Sequence, residues 1–357
     1  MFFGKPKYLG IDLGTSSIKA IELEPASDGR ALLTNYAEVS LFGIESGRMN
    51  QEYSYDDELI THFKALLERI SPDKKEAFMA LPAFVGLITL IELPDMNDKE
   101  MEDAIRFEAH KYVPSNLAEV SLSWEVVKRK TVPVDGSATP SKKVDVLLVA
   151  ALNKEINRYN KYATEAALSL KFLELETFSL VRSVIGNEGG ASIMIDIGFK
   201  ATNIILIKDG VVHLSRNVGI GGQDMTRTIA QSMNISLDRA EEMKKSTQDF
   251  LNVSGSATVF PSLAIIIAEV ERIIQSYTEQ EKEKKIERII LSGGSAGLTG
   301  LAQFFSQSLG VPVTLADPWK RIIVKDELRP FVEKLGSSFA VAIGLALGGV
   351  DGIDREK

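Results

Sequence analysis

Two short stretches pair a carboxylate with a turn of small residues. In YLGIDLGTSSIKAIEL, residues 8–23, Asp12 precedes Gly14, Thr15, Ser16 and Ser17, and Lys19 follows; in MIDIGFKATNI, residues 194–204, Asp196 precedes Gly198, with Thr202 and Asn203 beyond it. A carboxylate inside an apolar strand is costly unless a cation or donors offset it. Small residues at a strand-to-strand turn leave successive backbone amides able to form an anion-binding concavity. A phosphate chain fits such turns, and a magnesium ion reached through its waters would link Asp12 and Asp196 to phosphate oxygens. Taken singly, each stretch also reads as an ordinary hairpin with an Asp capping it, and Lys19 reads equally well as a solvent-facing residue. Their repetition favours the phosphate reading, with Asp12 and Asp196 as candidate catalytic and metal-facing residues.

Three further segments extend the constellation. NVGIGGQDMTRTIA sets Gly221 and Gly222 before a helix start marked by Asp224, where free amides can meet a phosphate. IERIILSGGSAGLTGL is a buried strand running into Gly293, Gly294 and Ser295, whose small side chains let a flat ring lie against the backbone. DRAEEMKKS puts Glu241 and Lys244 one helical turn apart, a spacing that by itself favours a surface ion pair.

The elements that must position these groups follow from the hydrophobic pattern. After the opening hairpin, ALLTNYAEVSL reads as a third strand. DDELITHFKALLERI is an amphipathic helix with Leu59, Phe63, Leu66, Leu67 and Ile70 on one stripe, and EAFMALPAF is a strand stopped at Pro82. Residues 84–152 form a separate small unit of strands and a helix, with PVDGSATPSKK as an exposed hairpin loop. A helix, strand and helix follow, and from residue 189 the strand–turn–strand pattern begins again. Alternating helices and strands with a repeated opening hairpin predict two similar α/β lobes facing each other.

Composition bounds the function classes. The chain has 357 residues, 45% hydrophobic and 25% charged, with a net charge of -8 and a pI near 5.2. That is a globular, acidic composition without a Lys/Arg cluster suited to nucleic acid. The absence of cysteine excludes disulfides and thiolate chemistry. MFFGKPKYLG has no apolar signal region, so export is not expected, and LAIIIAEV and FAVAIGLALGGV fall short of the roughly 20 residues that span a bilayer.

With these segments in order, the chain resembles the actin-like ATPase superfamily, which includes actin, the Hsp-type chaperones, sugar kinases, MreB and FtsA. IDLGTSSIKA is similar to its first phosphate loop, MIDIGFKATNI to its second and IILSGGSAGL to its adenosine motif. IIIAEVERIIQS and SSFAVAIGLAL are similar to its two connecting helices. The resemblance implies that Gly221, Gly222 and Asp224 contact phosphates, and that Glu241 and Lys244 touch ribose and adenine. Phe199 and Lys200 depart from the glycine-rich second loop of many members. The nearest resemblance within the superfamily is to the PilM family of the type IV pilus inner-membrane platform, through FFGKPKYLGIDLGTSSIKAIEL, RFEAHKYVP, LETFSLVRS and GLALGG.

That resemblance implies a two-lobed actin-like (ribonuclease H-like) α/β fold with an inserted small α+β subdomain. The expected first lobe is residues 1–188, containing the insert at about 84–152 and completed by a C-terminal helix at about 320–357. The second is residues 189–319, with a helical subdomain at about 222–262. It implies ATP and magnesium as ligands, a weak or slow ATPase at most, and a nucleotide-dependent scaffold at the cytoplasmic face of the bacterial inner membrane. The implied partners are the cytoplasmic N-terminal tail of a PilN-type protein, other platform components and a second copy of the chain, with no nucleic acid and no direct membrane insertion. Phe84, Phe107 and Tyr112 are candidate partner contacts, although buried core aromatics are the commoner outcome for such residues. Two alternatives stay open: an FtsA-like cell-division filament protein, against which the non-amphipathic ending GGVDGIDREK argues, and a small-molecule kinase, for which no aspartate sits in a motif suited to a catalytic base.

Overall fold

The computed structural model describes residues 5–41, 55–113, 116–132, 141–186, 188–251, 260–281 and 285–353. Residues 133–140 of the hairpin loop and 354–357 of the ending lie outside these, as do the first four residues and Pro114 of the quoted stretches.

The chain opens with an antiparallel meander of β1 (Tyr8–Leu13), β2 (Ser17–Pro25) and β3 (Ala31–Ser40). Helix α1 (Tyr55–Ile70) buries the expected stripe together with Ile60, and returns the chain to β4 (Glu76–Leu81), parallel to β1. The small unit then contributes β5 (Gly86–Pro94), α2 (Asp98–Ala109), β6 (Val120–Val132) and β7 (Ser141–Leu152). Ser141, Lys142 and Lys143, expected in the loop, belong to β7. An Asn97–Glu100 capping box fixes the start of α2 by satisfying two otherwise orphaned amides. Next come α3 (Asn153–Glu165), β8 (Ser169–Leu175), parallel to β4, and α4 (Glu176–Val184).

The second lobe repeats the plan. A meander of β9 (Ala191–Ile197), β10 (Thr202–Lys208) and β11 (Val211–Val218) is followed by α5 (Gly222–Met233), α6 (Leu237–Lys244) and α7 (Pro261–Gln280). Then β12 (Arg288–Ser292) runs parallel to β9, and α8 (Leu301–Leu309) leads to β13 (Val313–Leu315), parallel to β12. The chain returns through β14 (Ile322–Ile323), beside β3, and α9 (Arg329–Leu335) to α10 (Ala340–Asp351).

Strand order makes the duplication explicit: β14-β3-β2-β1-β4-β8 in one sheet and β13-β12-β9-β10-β11-β5-β7-β6 in the other. Stripped of β14 and the insert, both sheets read as a meander whose first strand is flanked by two parallel strands. This is the actin-like ATPase fold, mixed α/β with two sheets.

Three expectations are corrected here. The insert, expected within the first lobe, extends the second lobe's sheet: β5 pairs with β11 at Thr89 and Leu214, and Asn217 donates to the Ala83 carbonyl at 3.0 Å. It also has its own core, where Ile91, Leu93, Val144 and Val146 pack with Met101 and Ile105 of α2. The helix in IIIAEVERIIQS does not connect the lobes. It is α7, whose Leu263, Ile266, Val270 and Ile273 fill the second-lobe core, each such burial contributing about 1.5–3 kcal/mol. The chain instead crosses between lobes after α4 and returns at β14 beside β3, and α4 and α10 pack together where a Cβ on Gly344 would stand 1.9 Å from the Ser179 carbonyl oxygen. Finally, the run Arg329–Asp351 is, at 23 residues, long and apolar enough to cross a membrane, but 61% of its most apolar window is inside the protein. Residues Ala340 to Gly349 are buried throughout, because α10 is the central packing element against β1, β2 and α4.

Candidate functional site

The carboxyl ends of β1 and β9 face each other across a cleft of about 780 Å³ lined by both lobes. In each, the last strand residues and the hairpin that follows place one aspartate at the floor. Asp12 pairs in register with Lys19 across β1 and β2, and Asp196 with Asn203 across β9 and β10. The internal repeat of the sequence is therefore a repeat of site geometry.

Asp12, Gly14, Thr15, Ser16, Ser17 and Lys19 all line the cleft. Lys19 Nζ lies 4.0 Å from Asp12 Oδ2 and 3.9 Å from Glu38 Oε1, close enough to attract both but beyond a direct hydrogen bond. Burial pushes the Asp12 carboxyl up; Lys19 draws it back and Glu38 adds to the push. Asp196 is pushed up to about 6, again by burial, with the Ser292 hydroxyl across the β9–β12 ladder and Lys19 opposing it and Asp12 reinforcing it.

A third carboxylate was not found in the sequence. Glu176, the first residue of α4, lines the same cleft and is pushed up to about 8 by burial and by Asp196 and Asp12, against one stabilising amide from Ala83 at 2.9 Å. An acidic residue opening a helix is ordinarily explained by the helix dipole. Only its place in the lining of the cleft, with no cation beside it among the described residues, distinguishes this one.

Three carboxyls held toward protonation around one cleft, of which Asp12 alone, among the described residues, has a lysine ammonium about 4 Å away, form a donor set that suits added positive charge. Among the described residues no group of three or more His, Asp or Glu is arranged to ligate a metal directly. The residues fit a hydrated magnesium ion, which Asp12 and Asp196 would hold through water and which would supply the positive charge this cleft lacks.

The second hairpin is closed differently from the expectation. Gly198 lines the cleft and donates to the Ala201 carbonyl at 3.0 Å. The amides of Gly222 and Gln223 donate to the carbonyls of Gly198 and Phe199 at 2.8 and 2.9 Å, and the Gly221 amide to Asp224 Oδ2 at 3.0 Å. Gly221 and Gly222 therefore bolt α5 to the turn, and neither lines the cleft. Thr202 is buried, its hydroxyl donating to the Ile220 carbonyl at 2.7 Å. Asn203 reaches the cleft wall, but its amide donates to Thr177 at 2.9 Å and its oxygen accepts from Ser215 at 2.7 Å.

Gly293, Gly294 and Ser295 line the far side of the cleft. Gly293 has φ +90°, and a Cβ there would stand 2.5 Å from the Ile197 carbonyl oxygen, so the strand exit can pass the second turn only as glycine. Glu241 and Lys244 also line it, and here the surface-pair reading fails: they form a buried ion pair at 2.7 Å, their side chains 9% and 3% exposed. Lys244 Nζ donates further to the Gly222 carbonyl at 3.0 Å and to Thr226 Oγ1 at 2.9 Å. Burial pulls Lys244 down, while for Glu241 the burial penalty is outweighed by Lys244, leaving its carboxyl below the usual range.

All three candidate partner aromatics are exposed rather than buried in a core, at 53% for Phe84, 73% for Phe107 and 41% for Tyr112. They do not form one patch: Phe84 sits on the cleft wall, whereas Phe107 lies on α2 and Tyr112 just beyond it. Beside α2 a second cavity of about 500 Å³ runs to β6, lined by Arg106, His110, Leu117, Val120, Ser121 and Leu122.

The family described as type IV pilus assembly protein PilM matches residues 10–350 of the chain. Cell division protein FtsA of Staphylococcus epidermidis (strain ATCC 12228 / FDA PCI 1200) is 21% identical over 380 residues, 93% of this chain and 79% of that protein. Among solved structures, a PilM-PilN type IV pilus biogenesis complex superposes with a TM-score of 0.80 at 25% identity, over 97% of this chain and 99% of that one. MreB 5 of Spiroplasma citri, bound to AMPPNP, superposes with a TM-score of 0.50 at 12% identity, over 97% and 96%, a likeness of fold alone.

Proposed function

The chain belongs to the PilM family of type IV pilus assembly proteins, and on that premise we propose that it is an ATP- and magnesium-binding scaffold of the pilus machinery that docks the cytoplasmic N-terminal tail of a PilN-type inner-membrane protein. It works in the cytoplasm, peripheral to the inner membrane through that partner. The observation that carries the nucleotide half is the facing pair of hairpins, with Asp12, Asp196 and Glu176 lining one cleft. The partner half is supported by the likeness to a PilM-PilN complex and by the exposed aromatics of the insert.

Each residue has a distinct task. The Gly14 to Ser17 turn and Lys19 hold the phosphates; Gly198 shapes the second turn; Gly293, Gly294 and Ser295 floor the base, and the Glu241–Lys244 pair flanks the ribose. Thr202, Asn203, Gly221 and Gly222 hold the second turn in place through the bonds described above. Magnesium, when bound with ATP, supplies the positive charge that the carboxylates and phosphates require. Glu176, with its carboxyl near 8, carries a proton at neutral pH in the free protein. A general base must be ionised to accept a proton from water, so hydrolysis is slow unless the bound ligand draws Glu176 down. A scaffold that reports nucleotide state through lobe closure needs no faster chemistry.

The test has two readouts. Magnesium with ATP should raise the melting temperature, by mass action, and Asp12→Ala or Asp196→Ala should weaken that rise. A PilN-type tail peptide titrated by calorimetry should bind with an affinity that depends on the nucleotide present. Variants that respond to magnesium-ATP like the parent would remove the metal role, and a peptide affinity indifferent to nucleotide would remove the coupling.

A further inference from the structure

A row of charge runs across the first three strands. Asp12 of β1 stands in register with Lys19 of β2, and Lys19 with Glu38 of β3, so the three side chains share one face of the sheet in the order acid, base, acid. All three line the cleft. The Asp12 and Lys19 side chains are 14% and 11% exposed, whereas that of Glu38 is 37% exposed. Glu38 stands on an open edge, because among the described residues β14 pairs with β3 only at Ala31 and Leu32.

The ammonium sits between the two acids and touches neither. Lys19 Nζ is 4.0 Å from Asp12 Oδ2 and 3.9 Å from Glu38 Oε1, while a charge-assisted hydrogen bond closes to about 2.7–2.9 Å. With one buried carboxylate beside it, an ammonium is drawn into contact, since the attraction grows as the distance falls. A matching pull from the other side opposes that closure, and Glu38 supplies it. Lys200, Lys244, Lys245 and Lys334 line the same cleft, with Lys244 and Lys245 paired to Glu241 at 2.7 and 3.1 Å. Lys19 is the cation that draws on both floor aspartates.

From this geometry we infer that Glu38 is a positioning residue: it holds the Lys19 ammonium off Asp12, leaves that carboxylate open to a hydrated cation, and so sets the magnesium requirement of the cleft. The inference rests on the nucleotide reading of the cleft. Without Glu38, Lys19 closes on Asp12, occupies one of its oxygens and cancels its charge, so an added cation has less to hold. Removing an acid also lowers the repulsion that a phosphate meets. Both effects reduce the advantage that magnesium gives a bound nucleotide, so they act in one direction.

Calorimetric titration of the full chain with ADP, with and without magnesium, gives that advantage as a ratio of two dissociation constants. Glu38→Gln, which keeps the shape of the side chain, should lower the ratio about fivefold. In a Lys19→Met background no ammonium can close on Asp12, and the same substitution should lower the ratio by about twofold at most, through the lost charge of a part-exposed acid. Melting shifts at high nucleotide concentration supply the ratio where binding is too weak for calorimetry, and melting curves without ligand verify that each variant is folded. A ratio that Glu38→Gln leaves unchanged, or lowers equally with and without Lys19, overturns the role of Glu38 while leaving nucleotide binding intact. A parent that binds ADP with no advantage from magnesium overturns the metal reading beneath it, and a parent that binds no nucleotide overturns the nucleotide reading as well.

Discussion

Glu176→Gln tests the electrostatics of the cleft without changing its shape. The amide keeps an oxygen to accept the Ala83 amide at 2.9 Å and removes the charge that burial, Asp196 and Asp12 oppose. The sign follows from the direction of the shift: folding raises this carboxyl from the usual 4.5 to about 8, so the folded protein holds a proton that the unfolded chain has lost. Stability is thus unpenalised below about pH 4.5, falls as pH rises through the interval, and is lowest above about pH 8. A fully unscreened penalty would come to about 5 kcal/mol at the upper end. Because the side chain opens on one side to the water of the cleft, a working value is about 2 kcal/mol. Glu176→Gln should therefore raise the melting temperature at pH 8.5 by roughly 3 °C and change it little at pH 5. The assay is a set of melting curves for ligand-free parent and variant from pH 5 to 8.5 at fixed ionic strength. Asp12 and Asp196 couple to Glu176, so the difference between the two proteins reports Glu176 together with that coupling. If parent and variant lose stability in parallel across that range, the buried-acid account of Glu176 is wrong.

Three other outcomes follow from the packing and the exposed surface. Gly344→Ala places a methyl 1.9 Å from the Ser179 carbonyl oxygen and should cost about 3 kcal/mol by forcing α4 and α10 apart, read as a lower denaturant midpoint; an unchanged midpoint would mean that the crossing is loose. Glu241→Gln leaves Lys244 buried without its counter-charge and should cost about 3 kcal/mol near neutrality. That deficit should shrink toward pH 10 as Lys244, already pulled down by burial, gives up its proton. Phe107→Ser with Tyr112→Ser should leave the magnesium-ATP melting shift intact while weakening a PilN-type peptide about tenfold in calorimetry, since exposed aromatics carry much of such binding; an undiminished peptide affinity would put the tail elsewhere on the surface.

The sequence made the hairpins legible because their signals are local. Asp12 and Asp196 stand at matching positions of two apolar strands, each before a turn, and period-two burial plus turn chemistry suffices to find both. Helix α1 was legible for the same reason, its stripe lying within 16 residues. What escaped depends on contacts far apart in the chain. The spacing of Glu241 and Lys244 puts them on one face of α6 but is silent on what covers that face, which is Thr226 and the Gly222 carbonyl of α5. The long amphipathic α7 reads as a connector more readily than the nine-residue α4, yet length says nothing about which helix stands at the crossing between lobes. That the insert joins the second lobe's sheet is likewise decided by an edge, at Thr89 and Leu214, with no trace in either segment alone.

Those same long-range contacts join the cleft to the packing between the lobes. Helix α4 carries Glu176 into the cleft at its first turn and Arg182 at its last. Arg182 is bidentate to Glu174, at 2.7 and 2.8 Å, and donates to the Gly344 carbonyl of α10 at 2.9 Å. The two residues are about 9 Å apart along a rigid rod. Between them, at Ser179, the rod touches α10 with no room for a side chain at Gly344. A hinge built this way cannot slide freely, because translation would drive backbone into backbone, whereas rotation about the glycine contact keeps the guanidinium within reach of its carbonyl. Any force on the carboxyl of Glu176 is therefore applied to one arm of a pivot whose other arm is anchored by Arg182. Under the proposed function, a ligand that neutralises the floor of the cleft would act on the same helix that joins the lobes, which is the physical requirement for the cleft to govern the affinity of a docking surface elsewhere.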